Sequence, residues 1–251
     1  MKKMHTLLAF SFFISAEFYA QTVKPEIRGN KQMVTVNRPV AAFSHIRVIG
    51  LDAIIEKDVS KDLQITAESN ITEFVKSEMS GDTLVLSMDT RMQLRDIALP
   101  SVRIPYQHIE SILASVSNIK LASPITSDAL LLKLQISSSI EGEIHTKHLD
   151  LKLLSSTAKI TGTSTDSQVS LRTKSLFNGK NLVAEKMSIN EETLSLAEVH
   201  VNDLLTATLI ADSKISNVGS ATPTITQGTP DQLTFSFPKL KNGVPDMSEF
   251  F

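Results

Sequence analysis

Between residues 109 and 215 one short phrase keeps returning: an alternating apolar run, a cluster of Ser, Thr or Asn, then another apolar residue. Leu134-Gln135-Ile136-Ser137-Ser138-Ser139-Ile140 and Leu209-Ile210-Ala211-Asp212-Ser213-Lys214-Ile215 are two of its copies. The phrase returns about every 20 residues, and no segment of helical period separates the copies. A strand unit of that length cannot bury its apolar face alone, so the copies must stack. The pattern therefore predicts an all-β chain folded as a parallel β-helix, or β-solenoid. The apolar residues after the polar clusters are Ile119, Ile140, Ile160, Leu182, Val199 and Ile215, which by subtraction gives steps of 21, 20, 22, 17 and 16. Such a drift predicts a rod that tapers or loosens toward its C-terminal end. The clean hexapeptide period of a left-handed β-helix is absent, which favours the right-handed form. Six or seven rungs at ~4.8 Å make a rod about 30 Å long.

Stacking turns sequence periodicity into columns. Ser117, Ser138, Ser156 and Ser213 should lie near one corner, where hydroxyls satisfy turn backbone groups. Lys133, Lys152 and Arg172 each follow an inward Leu (Leu132, Leu151, Leu171) at nearly the coil period. They should form an outward basic column with acidic neighbours interleaved, Asp150 among them.

The flanks read differently. Residues 1–20 have the form of a secretory signal: Lys2 and Lys3, then an apolar run over residues 7–14, with cleavage after Ala20 or, as the alternative, after Ala16. Residues 21–41 read as an extended leader with one strand around Val34 and Val36. Residues 42–105 read as an N-terminal β region and residues 106–220 as the coils. The strongest strands of the β region alternate around Ile46 and Val48, Leu63 and Ile65, and Leu84 and Leu86. Residues 221–251 read as a C-terminal capping strand, built on Leu233, Phe235 and Phe237, and a tail. Phe250 and Phe251 resemble an outer-membrane barrel ending, but Pro245, Asp246 and Glu249 spoil the strand it would need.

Composition removes several functions. The chain has no Cys, so it has neither disulfides nor a thiol nucleophile, and anchoring through a lipid-modified Cys is excluded. No segment after the signal approaches the ~20 apolar residues of a membrane helix. Taking away Lys2, Lys3 and Glu17 leaves 23 basic and 26 acidic side chains, a balance that argues against a nucleic-acid partner. Trp is absent and Tyr106 is the one Tyr beyond the signal, which argues against a polysaccharide-processing cleft.

Catalytic patterns are weak. Glu141, Glu143 and His145 alternate with Gly142 and Ile144, so on a strand they share one face. They are the densest candidates for metal ligands, although a solvated outer face accounts for them more simply. Glu198, His200 and Asn202 repeat the arrangement nearly three coils away, too far to share an ion. Arg91, Arg95 and Asp96 read as a polar surface loop. No Gly-x-Ser-x-Gly elbow occurs, and no cofactor is implied.

The order of the N-terminal segments carries a resemblance. Phe43-Ser44-His45-Ile46-Arg47-Val48-Ile49-Gly50 is followed by Leu63-Gln64-Ile65-Thr66-Ala67-Glu68, then Gly81-Asp82-Thr83-Leu84-Val85-Leu86, then Val102-Arg103-Ile104-Pro105 leading into residues 109–117. In this series the chain resembles the autotransporter-adhesin head family, or GIN domain, of exported Bacteroidetes proteins. The resemblance covers residues 40–237 and implies a fold and an exported location more than an activity. Members of that family mark their corners with Ser-Gly-Gly-Ser. The corners here read Ser-Val-Ser-Asn, Ser-Ser-Ser-Ile and Ser-Ser-Thr-Ala, so altered corners are expected. The reading that follows is an exported, non-catalytic solenoid that binds an envelope protein or a glycan. The alternative is a carbohydrate-active β-helix lyase or hydrolase, and homotypic assembly through coil edges is a third possibility.

Overall fold

The alternating runs become strands that stack rung upon rung. The structure, a computed structural model, describes residues 25–58, 62–89, 91–228, 240–241 and 244–245. The expected signal and the strand expected around Phe235 lie outside the described residues. In chain order the strands are β1 (Glu26–Arg28), β2 (Met33–Pro39), β3 (His45–Ile49), β4 (Asp52–Lys57), β5 (Asp62–Glu68), β6 (Val75–Ser80), β7 (Thr83–Met88), β8 (Gln93–Arg95) and β9 (Ser101–Tyr106). They continue as β10 (Ser111–Ser115), β11 (Asn118–Leu121), β12 (Ile125–Gln135), β13 (Ser139–Leu154), β14 (Thr157–Arg172), β15 (Leu176–Glu192), β16 (Leu196–Ile210), β17 (Lys214–Asn217) and β18 (Thr224–Gln227). No α-helix occurs among the described residues. One 3-10 turn (Thr72–Phe74) leads into β6.

From β10 onward every rung pairs in parallel with the next: β10 with β12, β12 with β13, then β14, β15 and β16, with β17 and β18 closing the described stack. The register makes one inward column of Ile46, Ile112, Leu132, Leu151, Val169, Ile189 and Ala207. All seven are at most 4% exposed. Fully burying one such aliphatic side chain contributes about 1.5–3 kcal/mol, so the column is a continuous source of stability along the rod. The same register corrects the expected taper. The true column through Ile119 continues with Ile140, Ala158, Phe177, Ala197 and Ile215, in steps of 21, 18, 19, 20 and 18 by subtraction. Ile160, Leu182 and Val199 sit further along their coils, so the drift was one of counting and not of shape.

The N-terminal region stacks out of sequence order. β3 lies between β7 and β10, and β4 between β9 and β11, all in parallel. The chain thus lays down its second rung first, builds the first rung with β7 and β9, and then continues below the second with β10. β5 pairs antiparallel with both β2 and β9, and β6 with β7, so this end is edged by antiparallel strands. Glu68, fully buried at the end of β5, accepts hydrogen bonds from the Ala98 and Lys31 amides and lies 3.5 Å from the Lys31 ammonium. Those contacts hold its carboxyl below the ordinary range, the Ala98 amide most of all.

One corner repeats down the stack. Ser117, Ser138, Ser156, Ser175, Ser195 and Ser213 are buried there in succession. Each hydroxyl donates to a carbonyl two or three residues back in its own coil, at 2.6–2.9 Å. Each hydroxyl but Ser117's accepts the amide of the serine one coil earlier, at 3.2–3.4 Å; Ser117 accepts the Leu51 amide. The ladder thus satisfies backbone groups that the turn takes out of the sheet. Four of the six were expected, and Ser175 and Ser195 complete the series.

The glycine-free corners keep the backbone that glycine would supply. Val116, Ile136, Ser137, Ser155, Thr173, Lys174, Thr193, Leu194, Ala211 and Asp212 all have φ between 48° and 59°. Glycine is missing from these corners, and L-residues hold the left-handed conformation in its place. Rung-to-rung bonds across the corner, such as Ile136 N to Leu154 O at 3.0 Å and Leu194 N to Ala211 O at 2.9 Å, hold these residues where isolated L-residues would not stay. A left-handed L-residue costs about 1–2 kcal/mol, and a β-branched one is the least tolerant. Ile136→Gly, at an exposed φ of 52°, should therefore raise stability by up to about 1 kcal/mol after the added backbone entropy of glycine. Urea titration checks this, and a loss of stability would contradict it.

Candidate binding surface

The expected basic column lies on the outward side of the strands that form the aliphatic core. Arg47, Leu113, Lys133, Lys152, Ser170 and Asn190 follow one another in register on β3, β10, β12, β13, β14 and β15. Lys133 and Lys152 are direct neighbours on adjacent rungs, as the coil period implied. Arg172 is not in their column. It pairs in register with Leu154, two positions further along its strand, while Ser170 takes the place next to Lys152. The reason is the corner between them. The turn after Lys133 uses two left-handed residues, Ile136 and Ser137, whereas the turn after Lys152 uses one, Ser155. By subtraction the coil from Lys152 to Ser170 is 18 residues, against 19 from Lys133 to Lys152, so counting forward by 20 overshoots by two.

Lys133, Lys152, Arg172, Ser170, Gln135 and Leu154 nevertheless line one shallow depression of about 270 Å3. Lys152 Nζ bonds Asp150 Oδ2 at 2.7 Å, the interleaved acid the sequence suggested. Arg172 Nε lies 3.3 Å from Glu192 Oε2, and Glu192 is 7% exposed. Lys133 is half-buried; burial, and then the positive charges of Lys152 and Arg47, push its ammonium below the ordinary lysine range. Arg47 belongs to this surface and was missed. Its sequence signal is the alternation that turns it outward between the buried Ile46 and Val48, but only the out-of-order stacking of β3 brings it near Lys133.

The remaining sequence candidates do not converge. Glu141, Glu143 and His145 project outward along β13. Glu141 sits between Lys120 and Lys159 in register, while His145 uses Nε2 on Glu143 at 2.9 Å and Nδ1 on Thr163 at 2.9 Å. Among the described residues no three His, Asp or Glu side chains gather as a metal-ligand set. Arg91 pairs with Asp89 at 2.6 Å, Asp96 with Arg28 at 3.1 Å and Arg95 with Glu26 at 3.8 Å, all contacts that tie down the loop. His200 Nδ1 lies 3.3 Å from the Lys180 carbonyl.

A larger open depression, about 670 Å3, is lined by His108, Glu110, Thr126, Asp128, His145 and Lys147. Its carboxylates are engaged, Asp128 with Lys147 at 2.9 Å and Glu110 with His108 at 3.1 Å. The Lys147 hydrogen bond holds Asp128 below the ordinary carboxyl range, the reverse of what a glycosidase general acid needs. Among the described residues the carboxyl that is pushed up, to about 8, is Glu191, and it is enclosed in the core between Leu171 and Leu209.

A parallel β-solenoid with a stacked serine corner, edged by antiparallel strands at its N-terminal end and carrying cations across one face, defines the class. The family model described as "Putative auto-transporter adhesin, head GIN domain" matches residues 42–221, and the chain belongs to that family. Among solved structures it is similar to a "putative adhesin" from Bacteroides fragilis, at 17% identity and a TM-score of 0.71, covering 81% of this chain and 96% of that one. A "putative adhesin" from Parabacteroides merdae is similar at 17% identity and a TM-score of 0.64, covering 82% and 95%. A "Putative lipid binding protein" from Parabacteroides distasonis is similar at 15% identity and a TM-score of 0.65, covering 81% and 96%. At these identities the likeness is one of fold. No curated protein matches the chain in sequence. No helix among the described residues is long and apolar enough to cross a membrane.

Proposed function

We propose that this chain is an exported, non-catalytic, adhesin-like solenoid that holds an envelope or surface component against the face carrying Lys133, Lys152 and Arg172. The observation that carries the reading is the gathering of these three cations around one depression on a sheet face whose strands β13 and β14 are paired on both sides. Solenoids present extended surfaces of this kind for binding. Family membership supports an adhesive role, and the signal-like residues 1–20 support export to the periplasm or the cell surface. The carboxylates of the larger depression, tied to basic neighbours, weigh against the lyase or hydrolase alternative.

Capture from envelope fractions tests the reading. The purified protein should retain a saturable component, and a variant carrying Lys133→Glu, Lys152→Glu and Arg172→Glu should lose most of it. Equal capture by wild type and a folded variant would remove this face from the account.

A further inference from the structure

Resting on that reading of the face, we propose that its ligand is an acidic polysaccharide, whose carboxylates or sulfates lie across the rungs along Arg47, Lys133, Lys152 and Arg172. These four side chains stand on β3, β12, β13 and β14, and β10 supplies the rung between the first two. At ~4.8 Å per rung the track spans about 19 Å, the reach of a polymer segment and not of a single small anion. It runs across the strands, so a ligand chain meets a new cation or hydroxyl at almost every rung.

The electrostatics favour an anion. Lys133 is half-buried beside Lys152 and Arg47, and burial first, then these like charges, weaken its hold on its own proton. A carboxylate or sulfate placed among them relieves that repulsion and can accept charge-assisted hydrogen bonds. Asp150 and Glu192 steady Lys152 and Arg172 from the side. Ser170 and Asn190 continue the column with groups suited to sugar hydroxyls.

The face also selects against other ligands. Its backbone groups are paired to the rungs on both sides, so a peptide main chain finds no open edge to add to. The chain has no Trp, and none of the four cation-bearing strands contains an aromatic residue other than His, so neutral sugars have no ring to stack on. Charge and hydroxyl contacts are what remain.

The test is a binding titration of the purified protein on immobilised polygalacturonate, heparin and neutral dextran. Binding to the acidic polymers and not to dextran is expected, falling steeply between about 0.05 and 0.5 M salt as screening grows. Lys133→Gln with Lys152→Gln should weaken it by about tenfold or more, the scale of a lost hydrogen bond to a charged group. Arg47→Gln should weaken it as well. Lys159→Gln, next to Glu141 on another side of the coil, should leave it unchanged. Absence of binding to both acidic polymers at low salt would overturn the proposal. So would binding that is unaltered in Lys133→Gln/Lys152→Gln protein of unchanged unfolding midpoint. Envelope capture that depends on the cations but is competed by polyglutamate and by neither polysaccharide would retain the face and overturn the ligand class. Capture indifferent to the cations would overturn the reading of the face itself.

Discussion

Replacing Glu191 by Leu should make the protein more stable at pH 8 and should remove a pH dependence that the wild type shows. Glu191 occupies the inward column between Leu171 and Leu209, fully buried, with no hydrogen-bond partner for either carboxyl oxygen among the described residues. Burial pushes its carboxyl up to about 8. Below the ordinary value of 4.5 the group is protonated in both folded and unfolded chains and contributes no slope. Between 4.5 and about 8 the unfolded chain releases the proton and the folded chain keeps it, so stability falls as pH rises. At about 1.4 kcal/mol per pH unit the loss accumulates to about 4–5 kcal/mol. Above 8 both states are ionised and the curve flattens. The carboxyls held low, Glu68 and Asp89, act in the opposite direction and below pH 4.5, so the windows separate. Urea unfolding from pH 5 to 9 reads the effect. Wild type and Glu191→Leu with parallel pH profiles would show that the carboxyl is not held protonated in the fold.

The second large effect is expected at Gly162. This residue has φ +111° and sits in register opposite Ile144, whose carbonyl oxygen would lie 1.9 Å from an added Cβ. Backbone on a neighbouring rung cannot step aside without breaking the ladder on either side. Gly162→Ala should therefore cost on the order of 3 kcal/mol, from strain together with a displaced rung. Gly81 is the control. Its φ is +62°, but nothing lies within 4 Å of the added Cβ, so Gly81→Ala should cost about 1 kcal/mol. Similar losses at the two positions would show that coil stacking is looser than described.

The sequence makes the columns legible because strand alternation and a near-constant coil length act together. The inward Leu132 and Leu151, the outward Lys133 and Lys152, and the corner serines Ser117, Ser138 and Ser156 follow from those two facts. What was hidden depends on single residues or on distant pairing. The coil after Lys152 closes in 18 residues, one fewer than the 19 from Lys133 to Lys152 by subtraction, so a count of 20 lands on Arg172, two positions past the column. The corners at Ser175 and Ser195 read Thr-Lys-Ser and Thr-Leu-Ser, without the neighbouring serines of the corners at Ser117, Ser138 and Ser156. The return of β3 to lie against β10 joins residues 66 apart, His45 with Ser111 by subtraction, and no local pattern reports it. That return is what carries Arg47 to the basic face. Glu191 and Glu192 are adjacent acids, and alternation shows that one must point inward without showing which.

The central claim is that the face of Lys133 and Lys152 is the working surface. Lysine acetylation footprinting, read by mass spectrometry with and without saturating envelope extract, tests it directly. Lys120 and Lys159, exposed in another column beside Glu141, serve as the internal reference. Protection of Lys133 and Lys152 with Lys120 and Lys159 unchanged is the predicted result. Protection of Lys120 and Lys159 instead, or no change at Lys133 and Lys152 under conditions where material is captured, would contradict it.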